Sequence, residues 1–206
     1  MSPIQIPGNP NLEFRLLEES DYPALEIFCN KCKDSGLKNN ESFKAIKLDQ
    51  IKMPYGQYFI GVDHNQGTIW NLAGIHRFPE ISPTAWRCLF RGAQLPGYTM
   101  QGMLSKNMMK TSYQMSYVLP MQIEFILSQY PNAEFFTSTN NLNNKDVPVK
   151  SQVLDQRVNP LLQRIGVFEK VYDDIIIYNT NQSVWRVHPA ALIRERDKVL
   201  SSMNLL

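Results

Sequence analysis

Apolar and polar residues alternate in several short stretches of the chain, a pattern typical of strands with one buried face. Leu12 to Leu17 (LEFRLL) is the first, and two more, Gln57 to Val62 and Thr68 to His76, flank the turn signal DHNQG and predict a hairpin. Near the end of the chain, Ile175 to Tyr178 and Val184 to Val187 are predicted to pair as antiparallel neighbours around NTNQ. Two β-rich segments predict further strands: TAWRCLFRGA and NAEFFTSTN.

Other segments have the three- and four-residue spacing of helices. In EESDYPALEIFCNKC, Ser20 or Asp21 can cap a helix that has Pro23 in its first turn. The apolar face of this helix comprises Leu25, Phe28, Cys29 and Cys32. Further helices are predicted in SFKAIKLDQI, from Leu119 to Tyr130, and in the C-terminal PAALIRERDKVLSSMNLL. In VNPLLQRIG, Asn159 is a predicted cap, and the residues expected to face inward are Leu161, Leu162 and Ile165.

The resulting order of elements, β, α, β-β-β, α, β, α, β-β, predicts a single α/β (α+β) domain with a mixed sheet. Residues 1–11, which hold three prolines, are expected to form an irregular lead-in. Residues 12–188 are expected to form the domain, and residues 189–206 a closing helix.

Composition narrows the class of protein. The chain has 206 residues, 43% of them hydrophobic, and a net charge of +2, so we expect a globular protein without the basic footprint that binds nucleic acid. No uncharged run reaches the roughly 20 residues that span a bilayer, so no membrane segment is expected. Three cysteines, an odd count, favour a reducing, cytoplasmic location.

The cysteines allow more than one interpretation. Cys29 and Cys32 have the spacing of a redox site or of half a zinc site, but no second pair or nearby histidine completes a metal set. Because both thiols lie on the apolar helix face, we predict buried structural cysteines and no metal. Cys88 is predicted to be a buried thiol rather than a nucleophile, since no histidine is patterned beside it.

The stretch QLPGYTMQGML, from Gln94 to Leu104, lies between a predicted strand and a helical pattern. Backbone N–H groups at such a junction can bind a phosphate, because the first turn of a helix leaves its amides without partners. Glycine and proline are also common in turns that bind no ligand. The stretch alone leaves both interpretations open.

The element order and four segments resemble the GCN5-related N-acetyltransferase superfamily, and within it the divergent members found in large tailed phages. These segments are FRLLEESDYPALEIF, YFIGVDHNQGTIWNLAGI, RCLFRGAQLPGYTMQGML and NPLLQRIGVFEKVYDDIIIYNTNQSVW. The resemblance runs from Leu12 to Val187. It implies a mostly antiparallel central sheet flanked by helices, and transfer of an acetyl group from acetyl-CoA to an amine.

In that family a loop of the form Gln/Arg-x-x-Gly-x-Gly/Ala binds the pyrophosphate of coenzyme A. Placing the loop with Thr99 first matches only Gly102, whereas starting at Gln94 matches Gln94 and Gly97 but brings the loop too soon after the strand. The first placement is preferred. It assigns the pyrophosphate to the amides of Thr99, Met100, Gln101, Gly102, Met103 and Leu104, with backbone N–H groups near Gln94 and Leu95 polarising the thioester carbonyl.

The catalytic residues of the family are less evident. Leu162 occupies the position where members often carry a tyrosine that protonates the coenzyme A thiolate, and Tyr172 and Tyr178 are the nearby substitutes. The candidate general bases, each also explained as a surface or strand-end residue, are Glu80, His76 and Glu134.

Arg87 and Arg91 alternate on one predicted strand beside the expected cofactor cleft. They can pair with an acidic group of the substrate or form structural salt bridges.

Two functions therefore remain. The first is an N-acetyltransferase acting on a small-molecule or protein amine, with a homodimer compatible with the sequence. The second is an inactive descendant of the fold that binds a partner. The methionines crowded between Met100 and Met121 suit either core filling or a partner surface.

Overall fold

The computed structural model describes residues 2–6, 8–34, 42–52, 56–98, 113–140, 158–177 and 179–202. These residues form one eight-stranded sheet with helices on both faces. The strands are β1 (Ile4–Ile6), β2 (Asn9–Leu16), β3 (Gln57–Asp63), β4 (Thr68–Arg77), β5 (Ala85–Gln94), β6 (Glu134–Asn140), β7 (Phe168–Ile177) and β8 (Thr180–Val187). The helices are α1 (Tyr22–Asp34), α2 (Ser42–Lys52), α3 (Leu119–Leu127), α4 (Asn159–Arg164) and α5 (Pro189–Ser202).

The sheet has the strand order β1-β2-β3-β4-β5-β6-β8-β7. Every neighbouring pair is antiparallel except β5 and β6, which run parallel. This confirms the predicted single domain with a mixed, mostly antiparallel sheet. Parallel strands need a crossover connection, and the segment between β5 and β6 contains α3.

Two sequence expectations about strands are wrong. The lead-in is not wholly irregular, since β1 pairs with β2 through Ile4 and Phe14. The closing hairpin has its predicted antiparallel sense but a different register: Ile177 pairs with Thr180, and Val184 pairs with Tyr172. The hairpin connection is very short, so strand residues nearest the turn must pair first, and the apolar pattern alone could not fix this register.

Helix boundaries also differ from the sequence prediction in places. A short 3₁₀ turn precedes α1, and Glu18 with Asp21 forms its capping box, so the cap lies earlier than predicted. In α4, Asn159 is the first helical residue rather than the cap. Of its predicted inward residues only Leu162 is buried, while the side chains at 161 and 165 are exposed. A helix of only six residues buries few side chains, so the three- and four-residue spacing predicted more buried apolar positions than α4 has.

The core holds the three tryptophans and the three cysteines. Trp70, Trp86 and Trp185 are each no more than 1% exposed, as core packing predicts. All three cysteines are buried, and the apolar face of α1 points inward as expected. We call the face of the sheet that carries α1 and α2 the α2 face, and the opposite face, on which α3 packs, the α3 face.

Candidate functional site

The parallel strands β5 and β6 separate shortly after they meet. They pair only through Ala85, Trp86 and Arg87 on β5, with Glu134, Phe135 and Phe136 on β6. Beyond this point β5 continues to Gln94 beside β4, and β6 continues to Asn140 beside β8. The result is a V-shaped opening in the sheet, which we call the strand split. Its vertex is at Arg87, and its two sides are the diverging edges of β5 and β6.

Two successive bulges in β5 account for the split. From Arg87 to Phe90, β5 uses three steps to oppose the two steps from His76 to Gly74, and it does so again from Phe90 to Ala93. Within these bulges Leu89 and Arg91 adopt positive φ angles of 54° and 52°. Such conformations cost about 1–3 kcal/mol each in non-glycine residues, so the surrounding structure must hold them. Bulges bend a strand and raise its twist, which turns β5 away from β6.

Gln122 of α3 stabilises the bulged backbone. Its side chain is fully buried, and its Oε1 accepts a hydrogen bond from the Leu89 N–H at 3.0 Å. Its Nε2 donates to the carbonyls of Ala73 and Gly74 at 3.2 and 3.0 Å. The amide therefore supplies partners to three backbone groups at the point where the β4–β5 register is irregular. Sequence analysis missed this residue, although a glutamine on the apolar face of LPMQIEFIL is a recognisable signal.

His76 lies at the vertex of the split, where it pairs with Arg87 across β4 and β5. Its ring is 3% exposed, and Nδ1 lies 2.5 Å from the Arg77 carbonyl oxygen. A carbonyl only accepts, so Nδ1 carries the proton and Nε2, at the far end of the ring, is the acceptor. Nε2 is buried without a hydrogen-bond partner. Burial, and then the charge of Arg87, lower the pKa of His76 to about 4, so the imidazole is neutral at physiological pH.

Two arginines of β5 lie against one phenylalanine ring on the α2 face. The Arg87 guanidinium is 5.2 Å from the centre of the Phe90 ring, and its Nη2 donates to Gln182 Oε1 at 3.1 Å. The Arg91 guanidinium is 4.9 Å from the same ring, and its Nε donates to Asp49 at 3.0 Å. The sequence left substrate binding and a salt bridge open for these arginines. Arg91 makes the salt bridge, and Arg87 lies at the vertex.

Asp49 of α2 is a second residue that sequence analysis missed. Besides Arg91 it accepts a hydrogen bond of 2.7 Å from the Tyr58 hydroxyl. Burial, and then this carboxylate, raise the pKa of Tyr58 far above its usual range, so the phenol stays protonated. The Tyr58 ring passes so close to Gly74 that a Cβ there would lie 2.7 Å from Cε1. Gly74 therefore permits the contact that joins α2 to the bulged strand.

At the open end of the split, the residues before the predicted pyrophosphate loop are held firmly. The Leu95 N–H donates to the Trp70 carbonyl at 2.8 Å, and Gln94 Nε2 donates to the Tyr98 carbonyl at 2.6 Å. The Tyr98 hydroxyl donates to Asp63 at 2.9 Å. The Leu95 amide is thus already engaged within the fold, which corrects its expected role towards a thioester. The expected loop itself, from Thr99 to Leu104, lies outside the described residues, as does Tyr178.

The remaining catalytic candidates lie away from the vertex. Glu80 is exposed in the β4–β5 connection. Glu134 starts β6 at the closed end, where the hydroxyls of Thr84 and Ser82 donate to it and lower its pKa. Tyr172, 45% exposed, lies on the edge strand β7, which β8 separates from β6. Of the three catalytic candidates Glu80, His76 and Tyr172, only His76 lies at the split.

Within the described part of the chain, no three residues among His, Cys, Asp and Glu lie close enough together to hold a metal ion. No helix within those same ranges is both long and apolar enough to cross a membrane.

The fold is that of the GCN5-related N-acetyltransferases. A ribosomal-protein-S5-alanine acetyltransferase from Vibrio fischeri matches with a TM-score of 0.53 at 12% identity, over 91% of this chain and 96% of that one. Spermidine N-acetyltransferase from Vibrio cholerae, solved with CoA and spermine, matches with a TM-score of 0.52 at 12% identity, over 90% and 99%. FdhC, a nucleotide-linked sugar GNAT, matches with a TM-score of 0.54 at 14% identity, over 95% and 96%.

At these identities the likeness concerns the fold alone. No protein-family model matches the sequence, and no curated protein matches it. The function must therefore be inferred from the site.

Proposed function

We propose that the protein is an N-acetyltransferase that moves an acetyl group from acetyl-CoA to an amine. The observation that carries this proposal is the strand split, in which two parallel strands separate after three paired residues and leave diverging backbone edges within an otherwise continuous sheet. A pantetheine arm contains two amides, which can continue the hydrogen-bonding pattern of such edges. A thioester held there would lie between the two sheet faces, with the acceptor amine approaching from the α2 face.

The reaction needs little beyond positioning and proton transfer. The amine nitrogen attacks the thioester carbonyl carbon, the new C–N bond forms, and the C–S bond breaks. One amine proton leaves for a base, and the sulfur of coenzyme A gains one, so no oxidant or covalent enzyme intermediate is required. A backbone N–H of β5 beyond the vertex is our candidate for polarising the carbonyl.

We propose that His76 receives the amine proton, or that its Nε2 accepts a hydrogen bond from the N–H of the amine. Its Nε2 carries a lone pair, is buried, and lies at the vertex. A neutral imidazole is available as an acceptor throughout the physiological range. Arg87 and Arg91 are proposed to contact the acceptor.

The pyrophosphate is proposed to bind at the amides from Thr99 to Leu104. Support comes from the resemblance of this stretch to the family loop and from the anchoring of the residues that precede it by Asp63 and Trp70. We also propose that the acceptor is a small molecule or a protein and that the location is cytoplasmic. A homodimer and kinship with phage members are further proposals.

A non-catalytic binding protein is the alternative, and one observation favours it. Leu162, at the position where the family often has a tyrosine, is apolar and 2% exposed. No acid for the departing thiolate comes from this position. The alternative predicts that coenzyme A thioesters are not consumed.

Calorimetric titration with acetyl-CoA tests the proposal, followed by measurement of free thiol release with a panel of amines. We expect binding and amine-dependent release. The variant Gly102→Val should weaken acetyl-CoA binding tenfold or more, on the order of 1.4 kcal/mol, because a side chain there would separate the amides from the pyrophosphate. Absence of heat at millimolar acetyl-CoA contradicts the enzyme; equal binding by the variant contradicts only the placement of the loop.

A further inference from the structure

Two neighbouring residues of β4, Trp70 and Asn71, reach the same helical segment with their side chains. Trp70 contacts Tyr113, and Asn71 bonds Gln114, which begins the π-helical turn before α3. In a regular strand the two side chains would point to opposite faces of the sheet. A bulge changes this, because two steps along β4 oppose one step along β3. Opposite the bulge lies Gly61, where a Cβ would be 2.8 Å from the Trp70 ring and 2.9 Å from the Asn71 Cβ, so glycine leaves room for both side chains.

The Trp70 ring packs against the two tyrosines that flank the chain from residue 99 to 112. The Tyr98 ring stacks on it, with the ring centres 4.9 Å apart and the planes inclined by 12°. The Tyr113 ring meets it edge-on, also at 4.9 Å. Trp70 is fully buried, and its carbonyl accepts the hydrogen bond from the Leu95 N–H. One tryptophan therefore contacts both ends of this stretch of chain.

Three side-chain amides connect the same two ends through Asn71. Gln114 Nε2 donates to Asn71 Oδ1 at 3.1 Å, and Asn71 Nδ2 donates to Gln94 Oε1 at 3.1 Å. Gln94 Nε2 in turn donates to the Tyr98 carbonyl at 2.6 Å. Asn71, at the centre, is fully buried, where the loss of a hydrogen-bond partner is costly. We call this chain of hydrogen bonds the amide relay.

Carbonyl groups fix the direction of the amide relay at both ends, because a carbonyl only accepts hydrogen bonds. The Tyr98 carbonyl requires the NH₂ group of Gln94. The Leu72 carbonyl, 3.4 Å from Gln114 Nε2, requires the NH₂ group of Gln114. With both ends set, Asn71 can bond its two neighbours in one orientation only. Removing one amide therefore breaks the connection between the two ends.

We infer that Trp70, Asn71 and Gln94 form a clamp that fixes both ends of the chain from residue 99 to 112, and that Asn71 is thereby a positioning residue for coenzyme binding. This stretch includes Thr99 to Leu104, which are proposed to bind the pyrophosphate, so the second part of the inference rests on the proposed function. Fixed ends remove conformational freedom that ligand binding would otherwise have to remove. The clamp acts through the backbone that it holds, not through contact with the coenzyme.

Trypsin tests the clamp without any ligand, because Lys106 and Lys110 lie between the two fixed ends. Under native conditions we expect Asn71→Leu to be cleaved after these lysines about fivefold faster than the parent protein, since cleavage follows the population of accessible chain. Leu25→Ala, on the buried face of α1, is the control for a general loss of stability and should leave the rate near that of the parent. Equal rates in Asn71→Leu and the parent would overturn the inference, as would equal acceleration in both variants.

The affinity for acetyl-CoA tests the link to the coenzyme. In calorimetric titrations, Asn71→Leu and Gln94→Met should each weaken binding about tenfold, and Leu25→Ala should leave it unchanged. Because both amides act in one relay, the double variant should bind about as weakly as either single variant, rather than about a hundredfold more weakly than the parent. A general loss of stability does not produce this pattern. Circular dichroism establishes that each variant is folded.

The outcomes separate the inference from the proposed function. If the parent protein does not bind acetyl-CoA, the proposed function fails, and the trypsin experiment still decides whether the clamp exists. If the parent binds acetyl-CoA and Asn71→Leu binds it as tightly, the proposed function stands and the positioning role is wrong. Additive losses in the double variant would show that Asn71 and Gln94 act separately, which contradicts the relay.

Discussion

At the scale of single residues, the site is built by polar side chains in positions that otherwise hold apolar ones. Gln122 is fully buried on the inner face of α3, and His76 is buried in the middle of the sheet. The glutamine satisfies a bulged backbone, whereas the histidine presents a bare nitrogen at the vertex of the strand split. Burying a polar group lowers stability unless the group has a hydrogen-bond partner. The bonded Gln122 therefore has a structural role, whereas the unpartnered nitrogen of His76 is the candidate functional group.

Replacing Gln122 by leucine should destabilise the fold and loosen the bulge. The N–H of Leu89 and the carbonyls of Ala73 and Gly74 would lose their side-chain partner in a dry environment, at a cost of about 1–3 kcal/mol. Urea denaturation measures this cost, and hydrogen exchange of the Leu89 amide should accelerate. Gln129→Leu is the matched control, since the exposed side chain of Gln129, just beyond the end of α3, donates to the Phe125 carbonyl. Equal stability of the two variants would refute the role of Gln122.

The buried His76 should make stability fall in mild acid. Its folded pKa of about 4 lies below the ordinary value of 6.5, so the unfolded chain binds the proton more readily. The contribution is complete above pH 6.5 and is lost as pH falls towards 4, to a total of ~3 kcal/mol. Urea unfolding at several pH values should show this slope, and His76→Gln should remove it. An unchanged slope in His76→Gln would contradict the assignment.

At the scale of elements, apolar periodicity found β2 to β8 and α1 to α5 but did not find what positions the site. The double bulge of β5 involves Leu89 and Arg91, whose positive φ angles fall where the β4–β5 register shifts and are not a local preference of either residue type. Alternation in AWRCLFRG placed both arginines on one strand face, and the bulges disturb that alternation. The partnership of Asp49 with Arg91 joins residues far apart in the chain, which periodicity does not reveal. The sequence identified His76 as a candidate residue, but it did not predict that His76 lies at the vertex.

The contact between Tyr58 and Gly74 is what joins α2 to the bulged part of the sheet. Gly74→Ala should cost about 1–3 kcal/mol, because the added Cβ would meet the Tyr58 ring at 2.7 Å and force it aside. The displaced hydroxyl would also leave Asp49. If the ring is the obstacle, Gly74→Ala should cost much less in a protein that already carries Tyr58→Ala. A double-mutant cycle by chemical denaturation measures this coupling, and additive effects would show that the obstacle is elsewhere.

At the scale of the whole molecule, the strand split interrupts a sheet that is otherwise paired from β1 to β7. Antiparallel ladders hold each side, β1 to β5 on one and β6 to β8 on the other. Among the described residues, the backbone ladder that joins the two sides consists of three residue pairs, from Ala85 with Glu134 to Arg87 with Phe136. A molecule inserted in the split would therefore connect the two halves. Ligand binding should then raise the melting temperature of the entire fold.

Acetyl-CoA should raise the melting temperature more than a ligand that supplies only phosphates. At a concentration one hundred times its dissociation constant, any ligand of the native state adds about 2.7 kcal/mol, which for a chain of this length corresponds to roughly 5–11 °C. Adenosine diphosphate carries the pyrophosphate without the pantetheine arm, so it cannot bridge β5 and β6. In thermal denaturation at equal millimolar concentrations, we expect a clear shift with acetyl-CoA and a smaller one with adenosine diphosphate. Equal shifts would mean that the ligand is held by its phosphates alone, and the split would then not be the site where the thioester lies.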